Sequence, residues 1–142
     1  MIACFDTSAL MPLVLEERGT ERARWAWRSA SRRVVASVTA TELYAALGAA
    51  SRADRVAADV LDDALRAADR LLAACEHRVV DRALAADAAL LAVEERLRGY
   101  DAIQCAVGLE LRAEGAVGVA GDRALLDAWS ERGLQTIDIL AS

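Results

Sequence analysis

The side chains of this chain that could do chemistry are acids. Asp6 follows the apolar run Ile2-Ala3-Cys4-Phe5, and Asp122 follows Val117-Gly118-Val119-Ala120 after a single Gly121. Glu42 closes Thr39-Ala40-Thr41-Glu42, and Asp101 follows the break Arg98-Gly99-Tyr100. Carboxylates brought together repel and raise one another's proton affinity, so a cluster of four is stable mainly with cations between them. The natural occupant is a hard divalent cation, magnesium or manganese. Taken singly, each acid has a plainer reading as a helix cap. Thr39 to Glu42 has the form of a capping box, and Asp101-Ala102-Ile103-Gln104 resembles one with Asp as the cap.

What the sequence lacks narrows the chemistry further. All 17 basic residues are arginine, and His77 is the only histidine. Without lysine there is no phosphate-clamping P-loop and no Schiff base. One histidine cannot build a histidine-rich zinc site, and no GxSxG elbow signals a serine triad. Cys4, Cys75 and Cys105 are odd in number, widely spaced and free of any CxxC pair. They read as small core residues rather than a disulfide framework. The net charge of −5 looks wrong for a nucleic-acid binder, but the four acids account for most of it, and bound metal would cancel more. An RNA substrate therefore stays open, with weak non-specific affinity.

The elements that must position these acids follow from pattern. At 142 residues, 56% hydrophobic and only 4% aromatic, the chain reads as a single domain over residues 1–142 with an aliphatic, helix-packed core. It has no long apolar span and no secretory leader at its start, so a cytoplasmic protein without a membrane segment is expected. Ile2–Phe5 reads as a strand and Ala9-Leu10-Met11 as the opening of a helix capped by Thr7 or Ser8, with Pro12 in its first turn. Thr20–Arg33 is an arginine-rich helical stretch carrying Trp25 and Trp27, and Val34–Ser37 a second strand. Thr39 opens a helix to about Ala50, and Asp54–Cys75 forms a long amphipathic helix. His77–Val80 is a third strand, Arg82–Leu97 a helix, and Asp101–Glu114 another after Gly99 breaks the chain. Val117–Ala120 is a strand, Asp122–Arg132 a helix, and Gln135–Ile137 the last strand. Short apolar strands separated by helices argue a three-layer α/β/α sandwich around a parallel sheet of four or five strands. Ligands of such sheets bind beyond the carboxyl ends of the strands, so Asp6 and Asp122 should face one crevice.

The segments Asp6-Thr7-Ser8-Ala9-Leu10, Thr41-Glu42-Leu43, Leu97-Arg98-Gly99-Tyr100-Asp101-Ala102-Ile103 and Gly121-Asp122-Arg123-Ala124-Leu125-Leu126 together resemble a PIN domain. The likeness spans essentially the whole chain and is strongest to VapC-type toxins of bacterial type II toxin–antitoxin pairs. It implies an endoribonuclease acting on structured RNA such as tRNA or rRNA, with magnesium or manganese held by Asp6, Glu42, Asp101 and Asp122. It also implies a VapB-type antitoxin as partner, a homodimer, and Thr7 or Ser8 as a hydroxyl at the site edge. The chain departs from the family pattern at Ala120, where a Ser or Thr is frequent, and at Gln104, where a His is frequent.

Given that resemblance, Asp6 and Asp101 are expected to bind the principal metal, with Glu42 assisting directly or through water and Asp122 orienting water or a second ion. Arg98 and Arg123 neighbour the acids and are the candidate phosphate contacts, since the guanidinium fork donates bidentately. The denser run of Arg18, Arg22, Arg24, Arg28, Arg32 and Arg33 has a plainer reading as a solvated helix face. Trp25 and Trp27 cannot both face inward from one helix, so one is expected exposed, beside Leu10, Leu13, Val14 and Leu15 as a groove for a partner's helix. A phosphatase with an aspartyl nucleophile fits poorly, because it needs a second aspartate after the first strand and usually a lysine. A PIN-like module that binds RNA or protein without cutting is the other reading.

Overall fold

A computed structural model describes residues 1–142 as five strands and seven helices. In order they are β1 (Ile2–Phe5), α1 (Thr7–Val14), α2 (Thr20–Ser29), β2 (Arg32–Ala36), α3 (Thr39–Arg52), α4 (Ala58–Ala73), β3 (Glu76–Arg78), α5 (Arg82–Glu94), α6 (Gly99–Glu110), β4 (Val117–Ala120), α7 (Arg123–Glu131) and β5 (Gln135–Asp138). A single 3-10 turn, Arg112–Glu114, precedes β4. No helix is long and apolar enough to cross a membrane.

The sheet runs β3-β2-β1-β4-β5 with every neighbouring pair parallel. Strand residues alternate between two cores, as a pleated strand buried on both faces must. Ala3, Phe5, Val35 and Val119 pack with α1, α2, α3 and α4, while Cys4, Val34, Ala36 and Ala120 pack with α5, α6 and α7. The three-layer α/β/α architecture expected from pattern is the one observed. Because the chain steps from β1 outward to β2 and β3, then returns to the other side of β1 for β4 and β5, the order reverses between β1 and β4. The crevice at the carboxyl ends of those two strands is where such sheets bind ligands.

Several boundaries differ from the expected ones. Asp6, rather than Thr7 or Ser8, caps α1, accepting from Ser8 N at 3.0 Å. The helix therefore starts at Thr7, and Pro12 lies inside it instead of in its first turn. β2 starts at Arg32, and β3 stops at Arg78, before Val79 and Val80. The amphipathic helix expected over Asp54–Cys75 begins only at Ala58 and ends at Ala73, while α3 runs on to Arg52 and Asp54 takes φ +54° in the turn between them. Gly99 does not break the chain but opens α6.

The α5–α7 layer is organised around Trp129, which is fully buried and donates its indole N–H to Cys105 O at 3.2 Å. Its ring lies against two glycines. A Cβ on Gly118 would stand 2.4 Å from Trp129 Cε3, and one on Gly108 2.5 Å from Nε1. Gly118→Ala should therefore destabilise the protein by about 1–3 kcal/mol through overpacking, read as a lower midpoint in thermal or urea unfolding. An unchanged midpoint would show that the ring has room to move.

Candidate active site

The turns after β1 and β4 form one edge of the crevice and are joined by a single hydroxyl. Asp6 N donates to Val119 O at 3.0 Å. Ser8 Oγ donates to Asp6 Oδ2 at 2.5 Å and accepts from Gly121 N at 2.8 Å. The hydroxyl expected at the site edge is thus a strut that fixes Asp6 relative to the Gly121–Asp122 turn. Asp122 caps α7, accepting from Leu125 N at 2.9 Å. Glu42 and Asp101 sit in the first turns of α3 and α6.

These helix starts bring Asp6, Glu42 and Asp101 within electrostatic reach of one another. Burial pushes the Asp6 carboxyl up from its ordinary value, and the charge of Asp101 adds to this, while hydrogen bonds from Ser8 oppose it. Burial likewise raises Glu42, reinforced by the charges of Asp6 and Asp101. Asp122 joins through Arg98, whose guanidinium lies 3.1 Å from Asp101 and 4.0 Å from Asp122. A cavity of about 210 Å³ opens here, lined by Glu42, Arg98, Tyr100 and Asp101. A larger hollow of about 340 Å³ between α5 and α6, lined by Leu90, Glu94, Leu109 and Arg132 among others, contains none of the four acids.

Neither capping box forms. Thr39 belongs to α3 itself, whose N-cap Val38 makes no side-chain bond, and the N-cap of α6 is Arg98, not Asp101. Gln104, which sequence pattern pairs with a cap, is instead fully buried and donates through Nε2 to Thr39 Oγ1 at 2.6 Å and Glu42 Oε1 at 3.4 Å. Its role in holding Glu42 was missed because it depends on a contact between α3 and α6, which no local spacing reveals. Arg123 is turned away, bonding Asp138 Oδ2 at 2.5 Å. Arg98 is the arginine that stays with the acids. His77 lies on the edge strand β3 and bonds Leu72 O.

As the side chains stand, no three of the acids, histidines or cysteines form a closed metal-ligand set. Asp6 and Asp122 are turned to their helix caps, and Asp101 leans to Arg98. The chemistry of the donors nonetheless fits a hard dication. All are oxygens, two carboxyls have raised proton affinity, and the buried oxygens Thr7 Oγ1 and Gln104 Oε1 lack any partner. Thr7 Oγ1 lies close enough to Glu42 to favour its ionised form without making a formed hydrogen bond.

The raised proton affinities carry a stability consequence with a definite sign. Asp6 and Glu42 bind protons more tightly folded than unfolded, so folding is favoured with both protonated and that advantage is lost as pH rises. The metal-free protein should therefore lose stability as pH rises from about 4 through the raised folded-state values. Asp6→Asn keeps the cap and removes the charge, so it should raise Tm in chelator, by roughly 2–4 °C per 1 kcal/mol relieved. A lowered Tm would show that the ionised Asp6 stabilises the fold.

Comparison with known proteins places this geometry in a family. The profile described as PIN domain matches residues 3–128. Among curated proteins, none matches the sequence. Solved structures of similar fold include a protein of Pyrobaculum aerophilum, 24% identical at a TM-score of 0.70, covering 96% of this chain and 83% of that one. The sarcin–ricin-loop-cleaving toxin VapC20 of Mycobacterium tuberculosis is 21% identical at a TM-score of 0.69, over 96% of this chain and 98% of that one. A toxin–antitoxin complex from Klebsiella pneumoniae aligns at a TM-score of 0.63 and 17% identity, over 96% of this chain and 97% of that one. With its profile match, its all-parallel sheet in the order β3-β2-β1-β4-β5 and its acids at the β1/β4 switch point, the chain belongs to the PIN domain family.

Proposed function

We propose that this chain is a metal-dependent endoribonuclease, the toxin half of a toxin–antitoxin pair, cleaving structured RNA such as tRNA or rRNA. The observation that carries the reading is the mutual electrostatic coupling of Asp6, Glu42 and Asp101 at the switch-point crevice. Fold neighbours that include a sarcin–ricin-loop-cleaving toxin and a toxin–antitoxin complex support it.

Asp6, Glu42, Asp101 and Asp122 would hold one or two ions of Mg²⁺, with Mn²⁺ as an alternative. A cation bound there supplies neutralisation of the phosphodiester and an activated water. The remaining work falls to the chain itself. Ser8 fixes Asp6 against the Gly121 turn, and Gln104 holds Glu42. Arg98, with an 84% exposed side chain, is placed to release Asp101 and donate to a phosphate oxygen. Arg123 and Thr7 are weaker substrate contacts, one bonded to Asp138 and the other with its hydroxyl oxygen buried.

A partner helix has a place to dock. Of the groove expected beside Leu10, Leu13, Val14 and Leu15, Leu10 is fully buried. A hollow of about 310 Å³ lined by Met11, Leu15, Ala50, Val56 and Val60 together with Glu16, Glu17 and Arg55 would take the apolar face of a VapB-type antitoxin segment. Trp25 is 52% exposed, whereas Trp27 packs on Phe5 with centroids 5.3 Å apart and lies 4.6 Å from Arg33. The homodimer implied by the family resemblance and the cytoplasmic location expected from the sequence belong to the same proposal.

The second reading, a PIN-like module that binds without cutting, is favoured by one observation. Arg98 already supplies a cation to Asp101 and Asp122, so these acids have charge compensation without metal.

Purified protein incubated with total RNA should generate discrete new ends in magnesium and none in chelator, and Asp6→Asn should abolish them while remaining folded. Magnesium-dependent cleavage by Asp6→Asn would remove that residue from the mechanism. In calorimetry, Gln104→Leu should weaken magnesium binding by about 10–100-fold, as loss of a ligand-orienting contact does. Absence of any magnesium binding by the unaltered protein would favour the non-cutting module.

A further inference from the structure

Three aromatic rings of this protein stand substantially in solvent, and their surroundings differ. Trp25 lies on α2, among Arg22, Arg24 and Arg28. Tyr44 is 37% exposed and tied by its hydroxyl to Asp69 on α4. Tyr100 is 57% exposed, makes no hydrogen bond through its hydroxyl, and lines the acid cavity. In that cavity it is the one hydrophobic wall; the other three lining residues, Glu42, Arg98 and Asp101, are charged.

A metal ion or a phosphate group has no use for an aromatic wall, but a nucleobase does, because every base has a π face that stacks on a ring. We propose that Tyr100 and Arg98 form a nucleotide subsite in which Tyr100 stacks on the base beside the scissile phosphate and Arg98 grips that phosphate. The proposal rests on the nuclease reading above and adds a residue that determines specificity. At about 210 Å³ the cavity is below the roughly 300–1,000 Å³ of pockets that enclose a whole small ligand, which suits one base ring rather than a complete nucleotide. Arg98 is free to turn toward the phosphate, since its bonds to Asp101 and Asp122 are made by an 84% exposed side chain and such pairs hold weakly. A base inside a duplex has both faces covered by its neighbours and reaches Tyr100 only after unstacking. Tyr100 is therefore the residue through which the site distinguishes an unpaired nucleotide from a paired one.

The test uses the Asp6→Asn protein in magnesium, so that labelled RNA is bound without being cut, and compares a single-stranded RNA with the same strand in a duplex by fluorescence anisotropy. Tyr100→Phe in this background should keep the preference for the single strand. Tyr100→Ala should weaken single-strand binding by about 5- to 150-fold, the range for losing one base–aromatic stack, and leave duplex binding unchanged. In the Asp6 protein the same Tyr100→Ala change should raise KM with little effect on kcat. Equal single-strand binding with and without the ring, in a protein that still cleaves RNA, would overturn the subsite and leave the nuclease reading standing. If the Asp6 protein neither binds nor cleaves RNA in magnesium, the nuclease reading fails and the subsite falls with it.

Discussion

Negative charge gathered at one end of a parallel sheet is the constraint around which this molecule is arranged. Asp6 is almost fully buried, yet it shares its crevice with Glu42 and Asp101, and the only guanidinium paired with any of the four acids is that of Arg98. Helix N-termini relieve part of the repulsion, because each acid stands at or within the first turn of a helix, and Asp6 and Asp122 accept from that turn's N–H groups. The relief is incomplete, as the raised proton affinities of Asp6 and Glu42 record. A site that tolerates this strain in the folded state is one suited to taking up positive charge from outside.

Around that charge the fold supplies rigid support. Ser8 binds two turns that are more than a hundred residues apart in sequence, and Gln104 spans from α6 to α3 to reach both Thr39 and Glu42. Asp6 and Glu42 are thus held by neutral hydrogen-bonding groups, which orient a carboxylate without cancelling its charge. The three thiols stay outside this chemistry; Cys4 and Cys105 are buried, and burial pushes Cys75 up to about 11.

Much of the architecture is legible in sequence because it rests on local pattern. Apolar runs of four or five residues followed by helix-capping acids give the strands, their parallel pairing and the crevice between β1 and β4. The four acids and Arg98 are legible for the same reason, since each lies where a strand or loop hands over to a helix. The rest depends on contacts between distant segments. Nothing in the local pattern signals that the helix expected from Asp54 starts only at Ala58, with Asp54 itself at positive φ. Thr39-Ala40-Thr41-Glu42 has every local mark of a capping box, but Glu42 is drawn to Gln104 on another helix and the box does not form. Arg123 sits beside Asp122 in sequence yet bonds Asp138 on the neighbouring strand. Gly108 and Gly118 look like ordinary small residues until the indole between them is seen.

That indole reaches beyond packing. α6 carries Asp101, β4 leads into Asp122, and α7 is the helix that Asp122 caps; all three elements close on the ring of Trp129. The ring lies between α6 and β4 and so sets how closely those two elements approach. Positions 108, 118 and 129 consequently form one packing unit: a methyl on either glycine becomes tolerable only alongside a thinner side chain at 129.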